Sequence, residues 1–110
     1  MKNFYTISFI IFLSLTLNLF AQNTYVPDDN FETALINQGY DDVLDDYVLT
    51  ENISGLTVLY LENQSISDLT GIEDFTQLEI LNLQDNLLTS IDLSKQTQLK
   101  ELWLNFNKLE

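Results

Sequence analysis

The sequence predicts an α/β solenoid: short parallel strands stacked side by side, turns or short 3-10 segments on the far side, and a helical unit at the N-terminal end. Three observations carry this. The pattern Leu-x-x-Leu-x-Leu is written three times, as Leu56-Leu59-Leu61, Leu78-Leu81-Leu83 and Leu99-Leu102-Leu104. Its starts at 56, 78 and 99 are separated by 22 and 21 residues, the period of a stacked repeat. Each copy then runs in phase to a polar amide (Gln64, Asn86, Asn107) and an aliphatic residue (Ile66, Leu88, Leu109).

From the N-terminus, Lys2 precedes a run from Ile7 to Phe20 that is apolar apart from Ser8, Ser14, Thr16 and Asn18, and ends at Ala21. Fourteen residues are short for a membrane span, which needs about 20, but suit the apolar core of a secretory signal peptide. Residues 1–21 are therefore expected to be a signal peptide cut after Ala21, and Leu19 at the cleavage site keeps an uncleaved anchor as the alternative. The chain has no cysteine, which excludes a disulfide framework and a lipid-bearing cysteine at that site.

Residues 22–50 differ in character and are expected to form an N-terminal cap with one short helix. Asp29 followed by Glu32 reads as a capping box, with Pro27 just upstream. Phe31, Ala34 and Leu35 share one helical face, and Gly39 is a stop, so the helix should run from Asn30 to Gln38. Its apolar face needs a partner, and the first repeat has an uncovered edge.

Residues 51–110 are the repeats. Alternation in Leu59-Tyr60-Leu61, Leu81-Asn82-Leu83 and Leu102-Trp103-Leu104 turns leucines inward and the middle residue outward. At the following corner an inward amide can both donate to and accept from the backbone, which assigns Gln64, Asn86 and Asn107 a structural ladder role, with the longer Gln64 giving a looser first rung. Leu69, Ile72 and Phe75, then Ile91 and Leu93, should fill the opposite wall. Gly71 and Asp92-Leu93-Ser94-Lys95 leave little room there for a long helix.

These eleven in-phase positions per copy resemble the leucine-rich repeat family, and the resemblance covers Val26 to Glu110. The match is to secreted bacterial members with internalin-like repeats of 21–22 residues. Val26-Pro27-Asp28-Asp29-Asn30-Phe31 together with Asp41-Asp42-Val43-Leu44-Asp45-Asp46 looks like the caps of Bacteroidetes-type members. The resemblance implies an exported or cell-surface protein whose concave sheet binds a protein or glycan.

The repeat register says which residues share that face. With strands about 4.8 Å apart, the outward columns are Val58, Ile80, Glu101; Tyr60, Asn82, Trp103; Glu62, Gln84, Asn105; and Asn63, Asp85, Phe106. Aromatic residues on a polar surface are the types that dominate interfaces, so Val58, Tyr60, Glu62, Ile80, Asn82, Gln84, Glu101, Trp103, Asn105 and Phe106 are the candidate ligand-binding residues. Packing across neighbouring strands is the competing explanation of the same side chains.

Other chemistry is excluded or narrow. Removing residues 1–21 takes away Lys2 and no acid, leaving 3 Lys against 17 Asp and Glu, a net charge of −14. Such a surface repels nucleic acid and anionic membranes. Without His or Cys there is no imidazole base, thiol nucleophile or ordinary zinc site, and nothing builds the cleft that a carboxylate pair needs. No enzyme activity, no cofactor and no membrane insertion of the mature chain are expected.

Asp41, Asp42, Asp45 and Asp46 are a calcium candidate, four carboxylates within six residues, though without the spacing, central Gly or terminal Glu of an EF-hand. The structural alternative is that Val43, Leu44 and Tyr47 pack inward while the acids face water. The chain stops just after Leu109, so a fragment of a longer protein is expected, with end-to-end self-association as another way to cover the last repeat. The function expected is a non-catalytic recognition module, the alternative a repeat spacer or stalk that binds nothing.

Overall fold

Three strands of three residues each, β3 (Val58–Tyr60), β4 (Ile80–Asn82) and β5 (Glu101–Trp103), lie parallel in the order β3-β4-β5. The computed structural model describes residues 21–110, so the expected signal peptide lies outside the described residues apart from Ala21. Val58 pairs with Ile80 and Ile80 with Glu101; Tyr60 pairs with Asn82 and Asn82 with Trp103. Pairing continues past each strand, through Leu61 N–H to Asn82 O at 2.8 Å and Leu83 N–H to Trp103 O at 2.8 Å. The register is therefore the one the leucine spacing dictates.

Inward leucines form the core. Leu59, Leu61, Leu78, Leu81, Leu83, Ile66 and Leu88 are buried, with Leu56 and Leu99 packed against them. The opposite wall of the first repeat is Leu69, Ile72 and Phe75, carried by a single 3-10 turn over Ile72–Asp74. In the second repeat Ile91 and Leu93 are joined by Gln96, a buried amide absent from the sequence expectations, whose Nε2 donates to Ile72 O at 2.6 Å and Phe75 O at 3.2 Å.

Each corner after a strand places the equivalent residue in the left-handed region, Asn63 (φ 59°), Asp85 (φ 58°) and Phe106 (φ 61°), and the first corner adds Ser65 (φ 57°). Asn86 then fills the corner of the preceding repeat. Its Oδ1 accepts from Gln64 N–H and Ile66 N–H at 3.1 and 3.0 Å, and its Nδ2 donates to Leu61 O and Leu83 O at 2.8 and 3.0 Å. Asn107 repeats the arrangement one turn on, accepting from Leu88 N–H and donating to Leu83 O and Leu104 O. Gln64 is not a rung. Its Nε2 folds back to Glu62 O at 3.0 Å, because each rung serves the repeat before it and no repeat precedes the first.

The N-terminal segment is a helix and an antiparallel ribbon. Helix α1 spans Asp29–Asn37, one residue earlier than expected, because the N-cap is Asp28, whose Oδ1 accepts from Asn30 N–H and Phe31 N–H. The capping box is therefore corrected: Glu32 does not reach back to the helix start but points at the loop before the second strand. At the other end Tyr40 N–H bonds Leu35 O and Gly39 N–H bonds Ile36 O, with Gly39 at φ 87°, a left-handed stop that glycine adopts without a Cβ clash. Strand β1 (Asn23–Tyr25) pairs with β2 (Tyr47–Leu49), Thr24 opposite Val48. One helical turn, α2 (Thr50–Ile53), leads to the first repeat. The ribbon was not foreseen, although Asn23-Thr24-Tyr25 and Tyr47-Val48-Leu49 both alternate.

Polar and apolar contacts join this segment to the first repeat. Phe31 stacks on Phe75 with ring centroids 5.9 Å apart. Asp28 Oδ2 accepts from Ser67 N–H and Asp68 N–H, both at 2.9 Å, and Asn30 Nδ2 donates to Ser65 O. Thr24 Oγ1 donates to Asp74 Oδ2 at 2.7 Å. Gly71, at φ 109°, sits so close to the ribbon that a Cβ would lie 2.8 Å from Tyr25 O and from Val26 Cγ2.

Asn86→Ala leaves the Ile66 N–H and Leu61 carbonyl without a partner in the core, so it should destabilise the chain by about 3 kcal/mol. Asn107→Ala acts at a half-buried position and should cost about 1 kcal/mol. The urea unfolding midpoints of the two variants against the parent check the order.

Candidate ligand-binding face and acidic loop

The solvent face of β3-β4-β5 carries the columns expected from the register. Tyr60 and Trp103 are 49% and 47% exposed and flank Asn82. Asn82 itself is a correction: it is only 6% exposed, and its Oδ1 accepts from Gln84 N–H at 3.0 Å, so this side chain is committed to the fold. Val58, Ile80 and Glu101 line a shallow depression of about 350 Å³ at the start of the strands, together with Thr57, Glu79 and Lys100. Lys100 Nζ pairs with Glu79, which raises the Lys100 pKa. Glu62 and Asn105 are exposed and Gln84 half-buried along the far edge of the face.

Phe106 stands apart. Its ring is 69% exposed, and its backbone is left-handed where the first two repeats carry Asn63 and Asp85. Asn and Asp tolerate that conformation through their short polar side chains, whereas a bulky residue there is strained by about 1–2 kcal/mol. Nothing in the packing offsets the strain, since the ring faces water.

The second cluster is the loop from Asp41 to Asp46. Glu32, missed by the sequence reading, sits fully buried at its centre, its Oε2 accepting from Asp45 N–H at 3.1 Å and its Oε1 from Asp46 N–H at 2.9 Å. Carboxylate oxygens of Glu32, Asp41 and Asp45 lie within 4.8 Å of one another, as do those of Asp29, Glu32 and Asp46. Asp42 belongs to neither group, so the four aspartates of the calcium candidate are not brought together as a set. Asp41 Oδ2 is buried with no hydrogen-bond partner. Val43, Leu44 and Tyr47 do not pack inward: all three are about half exposed, because Glu32 occupies the space beneath the loop and ties its backbone instead.

Burial raises the Glu32 pKa above the ordinary glutamate value, and Asp41 raises it further by hydrogen bonding and by its charge, against the lowering effect of the Asp45 and Asp46 N–H groups. Asp41 Oδ1 already accepts from Asp42 N–H at 2.9 Å, and protonation of Glu32 would give the unpartnered Oδ2 a donor. Asp28 behaves in the opposite sense. Burial pushes it up, but N–H donors from Ser67, Asp68, Phe31 and Asn30 outweigh this and hold it below the usual aspartate value.

Strand register, amide rungs and a turn-built outer wall define the class: a leucine-rich repeat solenoid. Within that class the chain is similar to internalins. Internalin J of Listeria monocytogenes serotype 4b is 38% identical over 75 residues, 68% of this chain but only 8% of the relative. The functional domain of internalin J from that species superposes with a TM-score of 0.68 and 36% identity, over 84% of this chain and 21% of the other. An internalin F from Listeria monocytogenes gives 0.68 and 28%, over 76% and 25%. This chain therefore corresponds to a small part of each relative's length. The internalin J domain includes a cysteine ladder, whereas this chain has no cysteine. No protein-family model matches the chain. Among the described residues, no helix is long and apolar enough to cross a membrane.

The two shifted carboxyls set the pH response. A glutamate whose folded pKa is raised contributes stability that is full below its unfolded value, near 4.5, and is lost as pH rises through the folded value. The Asp28 contribution is present above about 3.8 and is lost as pH falls through its lowered value. Thermal midpoints should therefore peak on the acid side of neutrality. Asp41→Asn, which supplies Glu32 with a permanent donor, should raise the midpoint at pH 7 and flatten its decline above about pH 4.5.

Proposed function

We propose that this chain is a non-catalytic recognition module of an exported or cell-surface protein, in which residues 22–50 cap the first repeat and the sheet face binds a protein or glycan ligand. Residues 1–21 serve as its signal peptide. The similarity to internalins supports the module reading, and the high net negative charge of the exported part disfavours nucleic acid and anionic membranes as partners.

The observation that carries the proposal is Phe106. A fold-only role would favour Asn or Asp at this corner, as the two preceding repeats have, and would not hold an aromatic ring in water on a strained backbone. With Tyr60 and Trp103 it gives the face three exposed aromatic rings, rimmed by Glu62, Glu101 and Asn105. Strain retained at an exposed aromatic is a feature of contact surfaces rather than of spacers.

Phe106→Asn separates the two roles. It should stabilise the chain by about 1 kcal/mol in urea unfolding by relieving the left-handed strain, and it should lose binding to whichever extracellular protein or glycan the parent chain captures on protein and glycan arrays. Tyr60→Ala combined with Trp103→Ala should lose the same hits with little change in unfolding. If every array interaction survives these substitutions, the face is a spacer's surface and the recognition role is wrong.

A further inference from the structure

The β1-β2 ribbon has a second contact surface on the side away from its buried Thr24 and Val48. Ladder pairing sets Tyr25 opposite Tyr47 and Asn23 opposite Leu49 on that outer side. The two tyrosines are 51% and 48% exposed, with ring centroids 5.5 Å apart and planes tilted by 44°. The loop that Glu32 holds from below adds Val43 and Leu44, both half exposed. Between ribbon and loop lies a depression of about 360 Å³, lined by Val43, Tyr47 and Leu49 on one hand and Asp41, Asp42 and Asp45 on the other.

Exposed apolar side chains grouped together and rimmed by charge mark a candidate contact surface. Its charge decides what fits. A second copy of the chain would bring like charge against these aspartates, and an anionic lipid surface would meet the same repulsion. A cationic side chain gains twice, from the Tyr47 ring, which Tyr25 packs against, and from the carboxylates of Asp41, Asp42 and Asp45 in the same depression, while aliphatic groups beside it cover Val43 and Leu49.

We propose that this ribbon face docks a lysine- or arginine-bearing apolar segment of a partner protein, as a recognition surface separate from the strand face. None of its residues belongs to the face built on Tyr60, Trp103 and Phe106, so the two proposals stand or fall independently.

The test is fluorescence anisotropy of a labelled twelve-residue peptide of alternating lysine and leucine against the purified chain, beside a peptide with glutamate in place of lysine. Tyr25→Ala combined with Tyr47→Ala should weaken binding of the lysine peptide at least tenfold, and Val43→Ser combined with Leu44→Ser should do the same. The loop pair lies outside the core, so it decides the matter if circular dichroism shows that the tyrosine pair disturbs folding. Tyr60→Ala with Trp103→Ala should leave the affinity unchanged. The proposal is overturned if the lysine peptide does not bind, if the glutamate peptide binds equally well, or if folded ribbon and loop variants bind like the parent, which would assign the affinity to diffuse negative charge.

Discussion

A strand of three residues makes too few backbone bonds to hold a solenoid together, and the corner that follows it strands N–H and C=O groups in the core. The asparagine that fills each corner is the constraint on which the stacking depends. Asn86 satisfies donors and acceptors in two repeats at once, which locks their separation to one period and makes the interaction directional. Every repeat needs the one after it to complete its corner. The first repeat's own amide has no earlier corner to complete, which is why Gln64 can be longer and turn back on its own loop.

Directionality leaves a different problem at the N-terminal edge, and carboxylates solve it. Asp28 gathers four backbone N–H groups, two from the start of α1 and two from the first repeat, so one side chain both caps the helix and fastens it to the solenoid. Glu32 does the same for the loop before β2. An acid-rich chain with 3 lysines beyond residue 21 has few ion pairs to draw on, and it uses its acids as acceptors of backbone N–H instead. That choice sets the sign of the pH response, since one of these acids is better held charged and the other better held protonated. Gly71 makes the arrangement close-packed, because the ribbon passes where any side chain would collide with the Tyr25 carbonyl.

Much of the repeat architecture was legible in the leucines. Period, strand positions, register and the inward direction of Leu59 and Leu81 follow from alternation and spacing, which are local, while Leu102 in the last strand stays 36% exposed. The rungs Asn86 and Asn107 were legible for the same reason. What failed was anything that needed a partner from elsewhere in the chain. Glu32 looks like a capping residue until the loop 13 and 14 residues away presents its N–H groups. Val43 and Leu44 look like core until a buried glutamate takes the space beneath them. Gln96 gives no local sign that it will reach back 24 residues to the Ile72 carbonyl. Asn82 sits at an outward position and is nonetheless buried, because its neighbours in the column are Tyr60 and Trp103.

That last case bears on how the sheet face can work. A solenoid repeats one backbone position in successive units, so differences between copies are an internal control for what the backbone alone requires. At the central column the middle copy is an amide bonded into its own turn, and the outer copies are exposed aromatics. At the corner column two copies suit the left-handed backbone and the third does not. Both departures concentrate exposed aromatic surface on the third repeat, with Tyr60 separated from it by two strand spacings, about 9.6 Å. A ligand on this face would therefore engage two aromatic points across a polar, structurally committed strip, and its specificity would lie in spanning that distance rather than in filling a single pocket.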